Sequence, residues 1–184
     1  MLAYGYKCDG LNDEGWGCVY RSVQNVQHFL GLPVTPMTHL LQLLGVGERD
    51  KAWSEPGQYA RLPIFDPRAV QIQALVVGRP GARCFQHSSR DDYEDATAMT
   101  LADLLSRDKA LIHRGRVAYA IDDGVSGYAL VPGPGPAAGP AARRELLFVD
   151  PHYTPARVMH VAEAASTLGR PSGWMVLRAQ LRGR

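Results

Sequence analysis

The sequence predicts an α+β domain in which helices come first and a mostly antiparallel sheet follows. Two observations carry this. Apolar residues recur at helical spacing early in the chain, and the last third breaks into short β-like runs separated by turn residues. No internal repeat interrupts that order, so a segregated α+β arrangement is the expected one. The 184 residues suit one domain, taken as 1–184, and 46% apolar residues are enough for a real core.

The elements follow in order. Val19, Val23, Val26 and Leu30 fall near a 3.6-residue period with Phe29 beside them, and Gly31 and Pro33 form a stop. Residues 18–30 therefore read as a buried helix with Cys18 in its first turn. Residues 36–44 read as a second helix, with Leu40, Leu41, Leu43 and Leu44 crowding one end and Gly45 after it. Residues 46–66, broken by Pro56, Gly57 and Pro63, read as irregular. The apolar run 70–77 fits helix or strand, and Pro67 before it with Gln71 and Gln73 inside it tips the reading to helix. Residues 100–107 form a short helix with Thr100 as its N-cap. Residues 110–113, 116–121, 127–131 and 145–150 read as short strands. Between the last two lies PGPGPAAGPAARR at 132–144, which has no apolar face to bury and reads as a surface loop. Its prolines lack the N–H groups a phosphate loop needs, and no Lys-Ser/Thr follows.

Composition excludes several functions. Lys and Arg number 20 against 18 Asp and Glu, and both signs are spread along the chain, so there is no electrostatic case for nucleic acid or an anionic membrane. Arg178, Arg182 and Arg184 read as a solvated tail. The opening MLAYGYKCDG is too polar for a signal peptide, and no stretch has the apolar length of a membrane span. Cys8, Cys18 and Cys84 are odd in number and form no CxxC pair, which favours a reduced, cytoplasmic setting over disulfides or zinc. No metal or cofactor is expected.

The stretch NDEGWGCVYRSVQN, residues 12–25, concentrates the chemistry. A cysteine at a helix N-terminus meets unpaired N–H groups and the positive end of the dipole, which favour the thiolate nucleophile. Gly15 and Gly17 permit unusual dihedrals and leave room for a substrate chain beside the sulfur, and Trp16 supplies a wall. The same residues also suit a small buried hydrophobe at a helix start. A thiol nucleophile needs a base, and the base needs an orienting group. His28, His39, His87, His113 and His160 have no such setting: each sits among apolar residues, in a polar run, or without an acid nearby. His152 differs. In VDPHYT it follows Asp150 by two positions, so on a strand both would face one side, with Pro151 stiffening the pair.

Together, GWGCVYRS near the start and LFVDPHYT near the end resemble the papain-like cysteine proteases specific for the ubiquitin-fold modifier. The autophagy cysteine proteases, which process a lipidated ubiquitin-like protein, share the layout. The residues after each box, Val19-Tyr20-Arg21-Ser22 and Tyr153-Thr154, favour the modifier-specific family. The resemblance implies a papain-like fold, a helical N-terminal part carrying the nucleophile at a helix tip against a mostly antiparallel sheet. It implies Cys18 as nucleophile, His152 as base and Asp150 as its orienting acid. In that family a tyrosine twelve residues before the nucleophile donates to the oxyanion, and Tyr6 holds that place. Trp16 and Gly17 then contact a glycine tail. The expected activity is cleavage after the C-terminal glycine of a ubiquitin-like modifier, from precursors or conjugates, by a monomer without cofactor. The alternatives are the same triad acting on ubiquitin or the autophagy modifier, and an inactive modifier-binding protein. Pro155 stands where the family has glycine, and Arg114 and Arg116 flank the surviving Gly115 in a strand start that is glycine-rich in the family. Those changes leave the triad positions intact and bear on substrate preference.

Overall fold

A computed structural model describes residues 2–47, 55–78, 94–96, 99–134, 144–169 and 173–183. Cys84, His87, Arg184 and residues 135–143 of the Pro/Gly/Ala-rich stretch, all considered above, lie outside them. The chain is α+β. Its helices are α1 (Cys18–Phe29), α2 (Met37–Leu44), α3 (Pro56–Tyr59), α4 (Leu101–Arg107), α5 (Lys109–His113) and α6 (Ala165–Leu168). Its strands are β1 (Val70–Val77), β2 (Glu94–Ala96), β3 (Val117–Asp122), β4 (Gly127–Pro132), β5 (Leu146–Asp150), β6 (Arg157–His160) and β7 (Trp174–Leu181). The strands form one sheet in the order β2-β1-β7-β3-β4-β5-β6, antiparallel throughout except for the β1–β2 pair.

Both faces of the sheet are covered, and alternation along the strands sorts the side chains. One face carries Ala118, Ala120, Ala129, Val131, Val149, Leu177 and Ala179 against Val19, Tyr20, Val23 and Val26 of α1 and Met37, Leu40 and Leu41 of α2. The small alanines let α1 lie close to β3 and β4. The other face carries Tyr119, Ile121, Tyr128, Leu130, Phe148 and Val176 against Leu101, Leu104 and Ile112 of α4 and α5. Strands buried on both sides read as continuous apolar runs, which is why β3 and β4 were legible.

Several expectations need correcting. Residues 70–77 are a strand, because this run pairs along its whole length with β7 from Val70↔Leu181 to Val77↔Trp174, and that pairing is invisible locally. Residues 110–113 belong to helix α5, since α4 continues through Asp108, whose carbonyl accepts from both Leu111 (2.8 Å) and Ile112 (2.9 Å). Within 46–66, Pro56 opens the short helix α3. Arg178 belongs to no solvated tail. It is buried in β7, with Nε 2.6 Å and Nη2 2.9 Å from the two oxygens of Asp108. Arg182 is exposed and donates to the Pro67 carbonyl at 2.8 Å. The helix expected at 100–107 is present, with Thr100 and Asp103 in a reciprocal capping box.

Candidate active site

Cys18 is the first residue of α1, and the first helical hydrogen bond runs from the Arg21 N–H to the Gly17 carbonyl at 3.0 Å. Cys18 therefore sits at the N-terminal, positive end of the helix dipole. The loop before it is tight. The Asp13 carbonyl accepts from the N–H of Trp16 (3.2 Å) and of Gly17 (2.8 Å), and Gly15 turns the chain at φ +80°. A Cβ on Gly17 would lie 2.3 Å from Asp13 Oδ2. Gly17 is thus glycine because a buried carboxylate fills its side-chain space, a reason the sequence did not reveal. Trp16 is only 4% exposed; its ring stands edge-on to Tyr20 and its indole N–H donates to the Asn12 carbonyl at 3.1 Å. The ring braces the loop, with little of it exposed.

Asp150 ends β5, and His152 lies in the turn that follows. The pair does not use strand alternation. Instead Asp150 Oδ1 accepts from the His152 backbone N–H at 3.1 Å and lies 2.6 Å from ring Nδ1. The carboxylate thus fixes the turn and the ring together, leaving Nε2 to face outward. The ring stands between two tyrosines, with centroids 5.4 Å from Tyr6 and 5.4 Å from Tyr128. Cys18 lies close enough to the ring to act on its charge. Burial alone would depress the imidazole pKa, but the bond to Asp150 and the proximity of Cys18 outweigh it, and the ring is pushed up to about 9. At neutral pH His152 is therefore an imidazolium beside the sulfur.

Tyr6 reaches the same place from a third segment. Its backbone N–H donates to the Pro151 carbonyl at 2.9 Å, and its carbonyl accepts from the Thr154 hydroxyl. Gly5 packs so closely on the turn after His152 that a Cβ there would lie 2.0 Å from the Tyr153 carbonyl oxygen. Burial, followed by the Cys18 charge, holds the Tyr6 hydroxyl well above the ordinary phenol range. It stays protonated and able to donate at any physiological pH.

A fourth strand of contact was not anticipated. The Gly127 N–H, at the start of β4, donates to Cys18 Sγ at 3.3 Å across 109 positions of sequence. A Cβ on Gly127 would sit 2.7 Å from a Val19 methyl and 3.0 Å from its Cα, so only glycine lets the strand approach the helix tip. The structure thus brings Cys18, Tyr6, Asp150 and His152 together and adds Gly127 and Tyr128. Neither addition carries a local signal; only the sheet register brings them to the sulfur. Arg114 and Arg116 are not at this site. Both precede β3, whose other end, at Asp122, pairs with Gly127, so they stand roughly 20 Å from the sulfur at about 3.3 Å per strand residue. Arg116 donates to the Leu181 carbonyl at 2.9 Å.

His28 lies edge-on between Tyr4 and Phe29, away from any acid. A cavity of about 830 Å³ lined by Leu32, His39, Leu62 and Phe65 lies past the other end of α1 and shares no residue with the cysteine site. Among the described residues no group of His, Cys, Asp and Glu is arranged to hold a metal ion, and no helix is long and apolar enough to cross a membrane. No family model matches the chain, and no curated protein matches it significantly.

Proposed function

We propose that the chain is a papain-like cysteine peptidase that cleaves after the C-terminal glycine of a ubiquitin-fold modifier. One observation carries this reading: an imidazole held 2.6 Å from a carboxylate stands edge-on to a buried tyrosine ring, and both lie close enough to one cysteine at a helix N-terminus to feel its charge. That set supplies nucleophile, acid–base group, orienting group and oxyanion donor. The choice of substrate rests on the likeness of GWGCVYRS and LFVDPHYT to the modifier-specific family.

In this reading the Cys18 thiolate attacks the carbonyl carbon of the terminal glycine, and the oxyanion so formed accepts from Tyr6 and the N–H groups of the helix tip. His152 gives its proton to the departing amine as the C–N bond breaks. A water then attacks the thioester, with neutral His152 taking its proton, and the C–S bond breaks to release the glycine carboxylate. Asp150 holds His152 in the tautomer that serves both steps. No cofactor enters. The protein works as a monomer in the cytoplasm, on precursors or conjugates.

The test is intact mass spectrometry after mixing the chain with propargylamide derivatives of the ubiquitin-fold modifier, the autophagy modifier and ubiquitin. The expected result is an adduct with the first alone, absent in Cys18→Ala. An adduct only with another modifier reassigns the substrate. Tight binding of a modifier without any adduct identifies a binding protein instead of an enzyme.

A further inference from the structure

We infer that Asp13, gripped by the buried guanidinium of Arg21, is a positioning residue that sets the Tyr6 hydroxyl against Cys18. The inference rests on the peptidase reading and adds the device that holds its oxyanion donor in register.

Asp13 is fully buried and bonds in three directions. Oδ1 accepts from the N–H of Lys7, the residue after Tyr6, at 2.7 Å. Oδ2 accepts from Arg21 Nε at 2.7 Å. Its carbonyl accepts from Gly17, the residue before Cys18, at 2.8 Å. One residue thus ties the neighbour of the donor, through its carboxylate, to the neighbour of the nucleophile, through its backbone carbonyl, while the carboxylate itself joins Lys7 to Arg21 of α1. On its other side Tyr6 is tied to the histidine turn through Pro151 and Thr154. Asp13 supplies the link between the tyrosine segment and α1.

The segment needs holding. Lys7 stands at φ +60°, a left-handed conformation that non-glycine residues rarely keep without external restraint. Arg21 supplies a rigid anchor. Its side chain is fully buried, and besides Asp13 it meets both Asp9 oxygens, at 2.7 and 2.9 Å, and Gln24 Oε1 at 3.0 Å. A planar fork with several partners has little freedom, so the carboxylate it holds has little too. The negative charge of Asp13 also helps keep the Tyr6 hydroxyl protonated. Both oxygens of Asp13 accept from donors, and asparagine offers only one acceptor oxygen. Asp13→Asn must therefore release either Lys7 or Arg21, while Asp9 still balances the Arg21 charge.

The test combines two reactions of Cys18. Hydrolysis of a C-terminal coumarin amide of the ubiquitin-fold modifier passes through an oxyanion. Alkylation by iodoacetamide forms an S–C bond as iodide leaves a saturated carbon, and no oxyanion arises. Asp13→Asn is expected to lower kcat about tenfold or more with KM changed less than about twofold, and to leave alkylation within about twofold of wild type. In a Tyr6→Phe background the same substitution is expected to cost less than about twofold, because the group it positions is gone. An equal loss in both backgrounds, or a matching fall in alkylation, overturns the inference. If Asp13→Asn does not fold, Asp9→Asn decides: it loosens Arg21 from the half-exposed side and is expected to give a smaller loss, again only when Tyr6 is present. A Tyr6-independent loss there, or no loss, overturns the inference. A wild-type chain that alkylates but hydrolyses no modifier amide overturns the peptidase reading and this inference with it. A wild-type chain that hydrolyses while Asp13→Asn behaves independently of Tyr6 overturns this inference alone.

Discussion

His152 makes the site sensitive to pH in a stated direction. Its pKa in the folded chain, about 9, lies above the ordinary histidine value of about 6.5. The raised value means the paired imidazolium contributes stability in full below about pH 6.5 and loses that contribution as pH rises through about 9. The alkaline limb of kcat/KM is expected near pH 9 for the same reason. Asp150 is the largest cause of the upward shift, so Asp150→Asn is expected to move that limb towards neutrality, measured as kcat/KM for the modifier amide against pH. A limb that stays near 9 in the variant assigns the titration to another group. In the proposed reaction the Tyr6 phenol serves as donor, so Tyr6→Phe is expected to lower kcat by roughly a hundredfold with KM little changed, the usual cost of one oxyanion donor. Of these residues, Cys18, Asp150 and His152 stood out because two short boxes contain them, and Tyr6 through its spacing of twelve residues before Cys18 in the resembled family. Asp13 and Arg21 stood in the same stretch without a visible role, since a buried ion pair is defined by what surrounds it.

Among the elements, the β3–β4 turn does most to place the nucleophile. Asp122 Oδ1 accepts from the Gly124 N–H at 2.6 Å, and Asp123 Oδ1 accepts from Val125 and Ser126 at 2.9 and 2.8 Å. These bonds deliver Gly127 to the sulfur. Gly127→Ala would drive a methyl into Val19, and the overpacking is expected to cost about 1–3 kcal/mol in urea unfolding and to slow Cys18 alkylation. Unchanged alkylation in that variant would show that the Gly127 N–H has no part in reactivity. Burial pushes Asp122 up to about 6. Its contribution is therefore most favourable below about pH 4 and is lost as pH rises through about 6. Asp122→Asn keeps an acceptor for Gly124 without the buried charge, so its melting temperature is expected to exceed wild type at pH 8 and to match it at pH 4. Helices α1, α2 and α4 were legible from periodicity and caps, all local signals. Strand β1 and helix α5 were misread because their state is set by partners: β7 for the first, and the continuing turn of α4 for the second.

At the scale of the molecule, the Asp108–Arg178 pair joins the helical layer to the central strand across 70 positions, with the Tyr119 hydroxyl donating to Asp108 at 2.8 Å. Burial opposes the Asp108 charge, but Arg178 and Tyr119 hold its carboxyl below the usual range. Removing one partner strands the other, so Arg178→Met is expected to cost about 3–5 kcal/mol in chemical denaturation, and Arg178→Met with Asp108→Asn together considerably less. A double-variant cost equal to the sum of the two single-variant costs would mean the pair is not coupled. The sequence by itself determined the class of the domain, the helix that bears Cys18, and the two boxes that hold Cys18, Asp150 and His152, because period, caps and short motifs are properties of neighbours along the chain. Tertiary structure alone decided why Gly17 and Gly127 are glycine, that Trp16 is buried, that Arg178 belongs to the core and that Arg114 and Arg116 stand away from the sulfur. Those facts depend on sheet register and on which groups pack together, from Asp13 four positions before Gly17 to Cys18, 109 positions from Gly127, and a period or a short motif encodes neither.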